Sequence, residues 1–186
     1  MQLQYWRHRV HAVAPESFAY RPIGHFRTPH KAIAGMPIQP IGALGVSGSI
    51  VLLPGFAQGL QDLDGFSHVI VLYHLHQVRG HSLMVTPFLD TQAHGIFATR
   101  SPSRPNPIGL SVLRLAGVSG CCVHVENVDV LDNTPVLDIK PYVPDFDRWD
   151  ADRIGWFAGK SGQAVQHRSD TRFADAPLAE EDLPVA

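Results

Sequence analysis

The segment FATRSPSRPNPIGLS, residues 97–111, sets Arg100 and Arg104 on either side of Pro102, with Pro105 and Pro107 close behind. A guanidinium presents two parallel N–H donors that match the paired oxygens of a carboxylate or phosphate, so the chemistry on offer is anion binding. Each proline fixes its own φ. Each also pushes the residue before it, Ser101, Arg104 or Asn106, toward extended backbone. A loop restricted in this way loses little entropy when it orders around a ligand. Asn106 is expected to lock the turn by side-chain to backbone hydrogen bonds, and Gly109 to let the chain return to a strand without a Cβ clash. The plainer alternative is a stiff surface loop whose arginines are solvated or paired with Asp132 or Asp138.

Two other clusters could carry chemistry. In VLDNTPVLDIKPYVP, residues 130–144, Asp132-Asn133-Thr134-Pro135 has hairpin-turn composition. Asp138 and Lys140 follow on one strand face, with Pro141 and Tyr142 directly after. A pair of charges beside a proline is more than a half-buried strand needs, which favours a site. In FSHVIVLYHLHQ, residues 66–77, His74 and His76 share a strand face as paired metal ligands do. No HExxH, cysteine pair or carboxylate at ligand spacing accompanies them, so polar groups at a sheet rim is the preferred reading and no metal is assigned.

Those residues need elements to position them, and the composition says which kind. With 186 residues, 45% of them hydrophobic and 17% charged, the chain is one globular domain with a core. Its longest apolar run, near Val69–Tyr73, is too short to span a membrane. No apolar signal-peptide core follows MQLQYWRHRV, so a cytoplasmic location is expected. Cys121 and Cys122 are adjacent and point to opposite faces of an extended chain, which disfavours a bridge and predicts two reduced thiols. A net charge of −2 and a pI near 6.6 do not advertise nucleic-acid binding. Basic residues nonetheless cluster at Arg21, Arg27, His30 and Lys31, whereas Asp175, Glu180, Glu181 and Asp182 make the end acidic.

Short strand-like runs bounded by Gly and Pro predict strands at Ile23–Arg27, Ser49–Leu53, His68–Leu75, Gly95–Thr99, Leu110–Ala116, Cys122–Val130 and Val136–Ile139. Alternation is clearest where Val123, Val125 and Asn127 oppose His124, Glu126 and Val128. The fold class expected is mainly β: an antiparallel sheet curled into a barrel or sandwich, with short helices. One helix is predicted from Pro54, where Phe56, Leu60 and Leu63 recur at helical spacing, weakened by Gly59. A second is expected over Asp150–Gly159, docking Ile154 and Trp156–Phe157. The domain division is an extension at 1–19, a barrel domain at 20–159 and an acidic, mobile tail at 160–186.

The strings FATRSPSRPNPIGLS, GLQDLDGFSHVIVLYHLHQ and LDNTPVLDIKPYVP together resemble the signature segments of the TsaA-like (TrmO) family, in the same order, over about residues 20–157. The resemblance implies a β-barrel-like methyltransferase that binds S-adenosylmethionine near the interface of a homodimer, with tRNA as partner. The activity implied is N6-methylation of threonylcarbamoyladenosine beside the anticodon. That agrees with the absence of a glycine-rich dinucleotide fingerprint. Carried over by position, the cofactor contacts are Gln39, His76, Gln77, Arg100, Ser101, Asn106, Leu110, Leu131, Asp132, Asn133 and Thr134. Two departures stand out: Ile38 replaces an arginine, and Asn133 stands where the family usually has glycine. Longer members also carry a further C-terminal domain, whereas about forty residues follow Tyr142 here.

Transfer from a sulfonium is an in-line displacement, so a protein helps chiefly by aligning donor and acceptor. For a urea-like nitrogen that must lose a proton, Asp138 is the candidate base, Lys140 the candidate partner of the substrate carboxylate and Tyr142 a candidate stacking surface. Arg100 is expected to grip the methionine carboxylate or a substrate phosphate. Two alternatives stay open: methylation of a small metabolite on the same barrel, and a non-catalytic module that binds S-adenosylmethionine.

Overall fold

The computed structural model describes residues 17–173. Six strands close into an antiparallel barrel in the order β1-β2-β7-β6-β3-β8. They are β1 (Gly24–Arg27), β2 (Ser47–Leu52), β3 (His68–His74), β6 (Ile108–Ser119), β7 (Cys122–Glu126) and β8 (Pro135–Pro141). A separate two-stranded ribbon pairs β4 (Met84–Val85) with β5 (His94–Gly95). The expected class is therefore the observed one, and closure removes the open sheet edges that invite aggregation.

Alternation explains which side chains fill the barrel. Phe26, Ile50, Leu52, Val69, Val71, Tyr73, Leu113, Leu115, Val123, Val125 and Val136 point inward and form one buried cluster. The register matches them across strands: Phe26 faces Ile50, Ile50 faces Val123, and Val69 faces Leu113. Phe26 and Tyr73 meet edge to face with ring centroids 5.8 Å apart. Close backbone approach has its own requirement, since a Cβ on Gly24 would lie 2.4 Å from the Val51 carbonyl oxygen.

Several expected elements take another form. The helix predicted from Pro54 is two 3-10 pieces, Pro54–Leu60 and Leu63–Gly65. Asp62 between them adopts a left-handed φ of 65°, which ends the first piece, and Gly55 and Gly59 weaken any longer α-helix. The segment 150–159 contains only the 3-10 turn Gly155–Phe157, and the single α-helix among the described residues is α1 (Pro144–Asp147). The strand predicted at Gly95–Thr99 becomes the end of β5 followed by a 3-10 turn, Ile96–Ala98. The run predicted as Cys122–Val130 stops at Glu126, because Asn127 adopts a φ of 65°. That reversal turns Val128 inward, where it is fully buried, rather than onto the outer face beside His124.

Cys121 and Cys122 are free and half-buried. No helix among the described residues is long and apolar enough to cross a membrane. Residues 1–16, most of the predicted extension, and residues 174–186, including the acidic cluster, lie outside the described residues. Packing continues past the predicted boundary at 159. Ala164 and Phe173 are buried, and Phe173 joins Val85, Ile96 and Phe88 in a second apolar cluster. Ser169 bonds the chain near Ile33 and Met36, so this C-terminal segment is tied to the segment after β1. A second tie is polar. Asp90 accepts from Lys160 and bonds His94 (3.0 Å), and His94 stacks on Trp156.

The turn before β8 is also fixed by charge. Asp132 Oδ1 accepts the Thr28 N–H (2.9 Å) and its Oδ2 lies 2.6 Å from Lys31 Nζ. Both contacts hold that carboxyl below the usual carboxylate range. Asn133 follows with a φ of 62°, a region that glycine and asparagine enter far more readily than other residues. The departure from glycine noted in the sequence is thus conformationally silent, and the Asn133 side chain accepts from Arg27 and donates to Asp132. Asn133→Gly is expected to stay within about 1 kcal/mol of the parent. Asn133→Val should cost about 1–2 kcal/mol or more through backbone strain, read as a lower urea midpoint at unchanged slope.

Candidate functional site

Antiparallel closure gathers one end of every strand pair. β1, β7 and β3 finish, and β2, β6 and β8 begin, at the same rim of the barrel. The connections that leave this rim are long: 28–46, 75–107 and 127–134. At the opposite rim β6 turns into β7 through only Gly120 and Cys121. Long connections over one rim build a cleft of about 1050 Å³. The C-terminal segment closes its side with Trp156, Phe157, Ser169 and Phe173.

The proline-stiffened loop supplies one wall. Its two arginines have different jobs. Arg104 turns back and donates to the carbonyl oxygens of Ile96, Thr99 and Ser101 (3.3, 2.9 and 3.4 Å), which pins the loop on itself. Arg100 stays exposed at the cleft and donates to Gln39 Oε1 (2.9 Å). Neither arginine pairs with Asp132 or Asp138. Ser101 lines the cleft with its hydroxyl buried and unpartnered among the described residues. A buried hydroxyl without a partner is costly, and a ligand atom in the cleft would satisfy it. Asn106 lies outside the cleft. Its side chain makes no hydrogen bond among the described residues, and the turn is closed by the Ile108 N–H to the Asn106 carbonyl (2.7 Å) instead.

Other expected residues converge from separate segments. Gln39 arrives on the stretch after β1, held where Pro37 pairs with Arg168. His76 and Gln77 follow β3, Leu110 is the third residue of β6, and Leu131 and Thr134 come from the turn before β8. Burial, then the neighbouring charges of His74 and His25, lowers the His76 pKa and favours neutral imidazole. Ile38 also lines the cleft, adding an apolar contact where the family pattern has a guanidinium. Asp132 and Asn133 do not line it. They brace the turn from behind, as described above. Among the described residues no three His, Cys, Asp or Glu side chains stand as a metal-binding group.

Asp138, Lys140 and Tyr142 are not brought to this cleft. β8 starts at the cleft rim and runs away from it, so Lys140, six residues past Thr134, lies about 20 Å along the strand at ~3.3 Å per residue. Val136 and Ile139 face the core, which a bulge opposite Leu72 and Tyr73 permits, and Asp138 and Lys140 face outward. There they pair with each other, Oδ2 to Nζ 2.7 Å. Tyr142 packs its ring against His68 at the far rim. Strand direction, invisible in a list of residue types, separates these three from the cleft.

One group at the site escaped the sequence reading. Asp129 lines the cleft between the buried Val128 and Val130. Its Oδ1 accepts from Ser111 Oγ (2.7 Å), which is 3.0 Å from the Tyr73 hydroxyl. Burial raises Asp129 to about 6, against the lowering effects of the Ser111 bond and the Arg100 charge. Burial also pushes the Tyr73 phenol upward, as does the Asp129 charge, so it stays protonated and can donate. A lone carboxylate inside a Val-Asp-Val triplet was the available signal.

Comparison with known proteins matches residues 25–148 to the model of the tRNA-methyltransferase O N-terminal domain. A probable S-adenosyl-L-methionine-binding protein of Pyrococcus abyssi is 44% identical over 161 residues, covering 87% of this chain and 88% of that one. The mouse tRNA (adenine(37)-N6)-methyltransferase is 39% identical over 136 residues, covering 68% of this chain and 31% of the mouse protein. Among solved structures, TrmO from Pseudomonas aeruginosa superposes with a TM-score of 0.65 at 39% identity, over 75% of this chain and 62% of that one.

Proposed function

The chain belongs to the tRNA-methyltransferase O N-terminal-domain family, and from that premise we propose that it is a methyltransferase that takes its methyl group from S-adenosylmethionine and delivers it to tRNA. The observation that carries this reading is convergence. Gln39, His76, Gln77, Arg100, Ser101, Leu110, Leu131 and Thr134 are scattered over nearly a hundred positions, yet they line one cleft. A relative similar over most of its length is described as S-adenosylmethionine-binding, and one similar over part of its length as a tRNA adenine methyltransferase.

The donor set suits the ligand. Bound S-adenosylmethionine would supply an electrophilic methyl group on a positively charged sulfur. Arg100, steadied by Gln39, presents N–H donors to an anionic group such as the methionine carboxylate. Ser101 offers an unsatisfied hydroxyl, and neutral His76 and Gln77 offer polar contacts at the end of β3. Leu110, Leu131 and Thr134 wall the cleft, and the Arg104 clasp keeps the loop from opening. Preformed walls align the reactants, which is the main assistance a displacement at carbon needs. Within this reading the acceptor is N6 of threonylcarbamoyladenosine beside the anticodon. The chain works as a homodimer, to which exposed Phe97, Ile108 and Leu110 at the rim contribute an apolar face.

The test is to incubate the full chain with labelled S-adenosylmethionine and tRNA carrying threonylcarbamoyladenosine, then digest to nucleosides. Label in the methylated form of that nucleoside is expected, and an unlabelled digest would remove the assignment. A second reading, binding without transfer, is favoured by one finding: the Pyrococcus relative is described only as a binding protein. Tight cofactor binding with no turnover on any tRNA pool would select it.

A further inference from the structure

Asp129 is used by none of the assignments above, although it is a carboxyl group on the wall of the cleft. Among the described residues it makes no ion pair with a lysine or arginine. Its neighbours account for the other charges lining the cleft. Arg104 is committed to three loop carbonyls, Asp170 is bound by the Arg172 guanidinium through both oxygens, and Arg100 reaches Gln39. His76 is held toward neutrality and Tyr73 stays protonated. Because Ser111 gives its hydrogen to Asp129, the Tyr73 hydroxyl must donate to Ser111, and a relay from barrel core to cleft wall orients the carboxyl.

We infer that Asp129 is the counter-charge with which the cleft reads the positive charge of its ligand, and that it is a specificity-determining residue of the site. This rests on the proposed S-adenosylmethionine reading. That ligand carries two cationic centres, the sulfonium and the α-ammonium, and a carboxylate in a half-buried wall stabilises either one. The sign follows from the free protein. Held near 6 by burial, Asp129 is about half protonated at pH 6 and ionised at pH 8. A cation arriving beside it favours the ionised form, so binding expels a proton from Asp129 near pH 6 and none from Asp129 at pH 8. A carboxyl that served only to hold Ser111 in place would not respond to ligand charge.

The experiment is calorimetry of the full chain with S-adenosylmethionine, at pH 6 and pH 8, in two buffers of different ionisation enthalpy. Release of a fraction of a proton from Asp129, read as the difference between the parent and Asp129→Asn, is expected at pH 6 and not at pH 8. Asp129→Asn, checked for folding by its melting temperature, should abolish that release and weaken binding at pH 8 roughly ten- to hundred-fold. Ser111→Ala removes a bond that favours the ionised form, so it should shift the release to higher pH. S-adenosylhomocysteine, which keeps the ammonium and lacks the sulfonium charge, separates the sources. Equal release identifies the ammonium as partner, and diminished release the sulfonium. Binding of S-adenosylmethionine without proton release at pH 6, or unchanged affinity in Asp129→Asn, overturns this inference and leaves the proposed function standing. No heat with either ligand removes both.

Discussion

Arg100→Ala is expected to weaken S-adenosylmethionine binding roughly ten- to hundred-fold while leaving the melting temperature nearly unchanged. The asymmetry comes from where the side chain stands. It is exposed at the cleft, and its one hydrogen bond among the described residues goes to the Gln39 amide. Removing it therefore takes away a ligand contact and little packing. A hydrogen bond to a charged group contributes about 1.5–3 kcal/mol, and the fold-change is that range converted at ~1.4 kcal/mol per decade. Arg100→Lys should recover only part of the loss, because an ammonium is a point charge and cannot offer two parallel donors. Titration calorimetry alongside a thermal melt checks both halves. Binding unchanged in Arg100→Ala would mean that the anionic end of the ligand lies elsewhere, and the proposed orientation would fail. The contrast with Arg104 is instructive: three bonds to loop carbonyls make it a positioning residue, although the sequence offers the two arginines as equivalents.

Gly109→Ala should destabilise the barrel strongly and disturb the site with it. A Cβ at position 109 would stand 2.1 Å from Tyr73 Cε2 and 2.5 Å from Cζ, far inside contact distance. Tyr73 faces Gly109 across the β3–β6 pairing and has little room to yield. Its ring is buried against Phe26 and its hydroxyl bonds Ser111. Overpacking of this kind costs about 1–3 kcal/mol, more where the neighbour is rigid. We expect a lower urea midpoint together with weaker ligand binding, since displacing Tyr73 also moves Ser111 and Asp129. Gly45→Ala is a useful control: a Cβ there meets nothing within 4 Å, and only its left-handed φ of 78° penalises the change. Equal stability of Gly109→Ala and the parent would show that Tyr73 does not fill the space assigned to it.

Much of this protein was legible as sequence because the physics involved is local. Proline restricts its neighbours wherever the chain goes, so the stiffness of residues 97–111 could be read directly, and alternation such as Val123–His124–Val125 declares a strand with one buried face. Many short strands with few helix signals declared an antiparallel β protein, barrel or sandwich, and closure is what the structure adds. What failed also failed for local reasons. Left-handed Asp62 and Asn127 broke a helix and a strand that hydrophobic spacing alone would have continued.

The site divides along another line. Residue types and order marked the arginine loop, the His76-Gln77 pair and the Thr134 turn, since donors and turn formers carry their chemistry with them. Only the tertiary structure decided which of these meet. β8 leaves the cleft rim, so Asp138 and Lys140 travel outward with it, whereas Asp129, hidden between two valines, is delivered to the cleft by the turn at Asn127. Strand direction and closure order are long-range properties set by the whole packed barrel, and no window of sequence contains them.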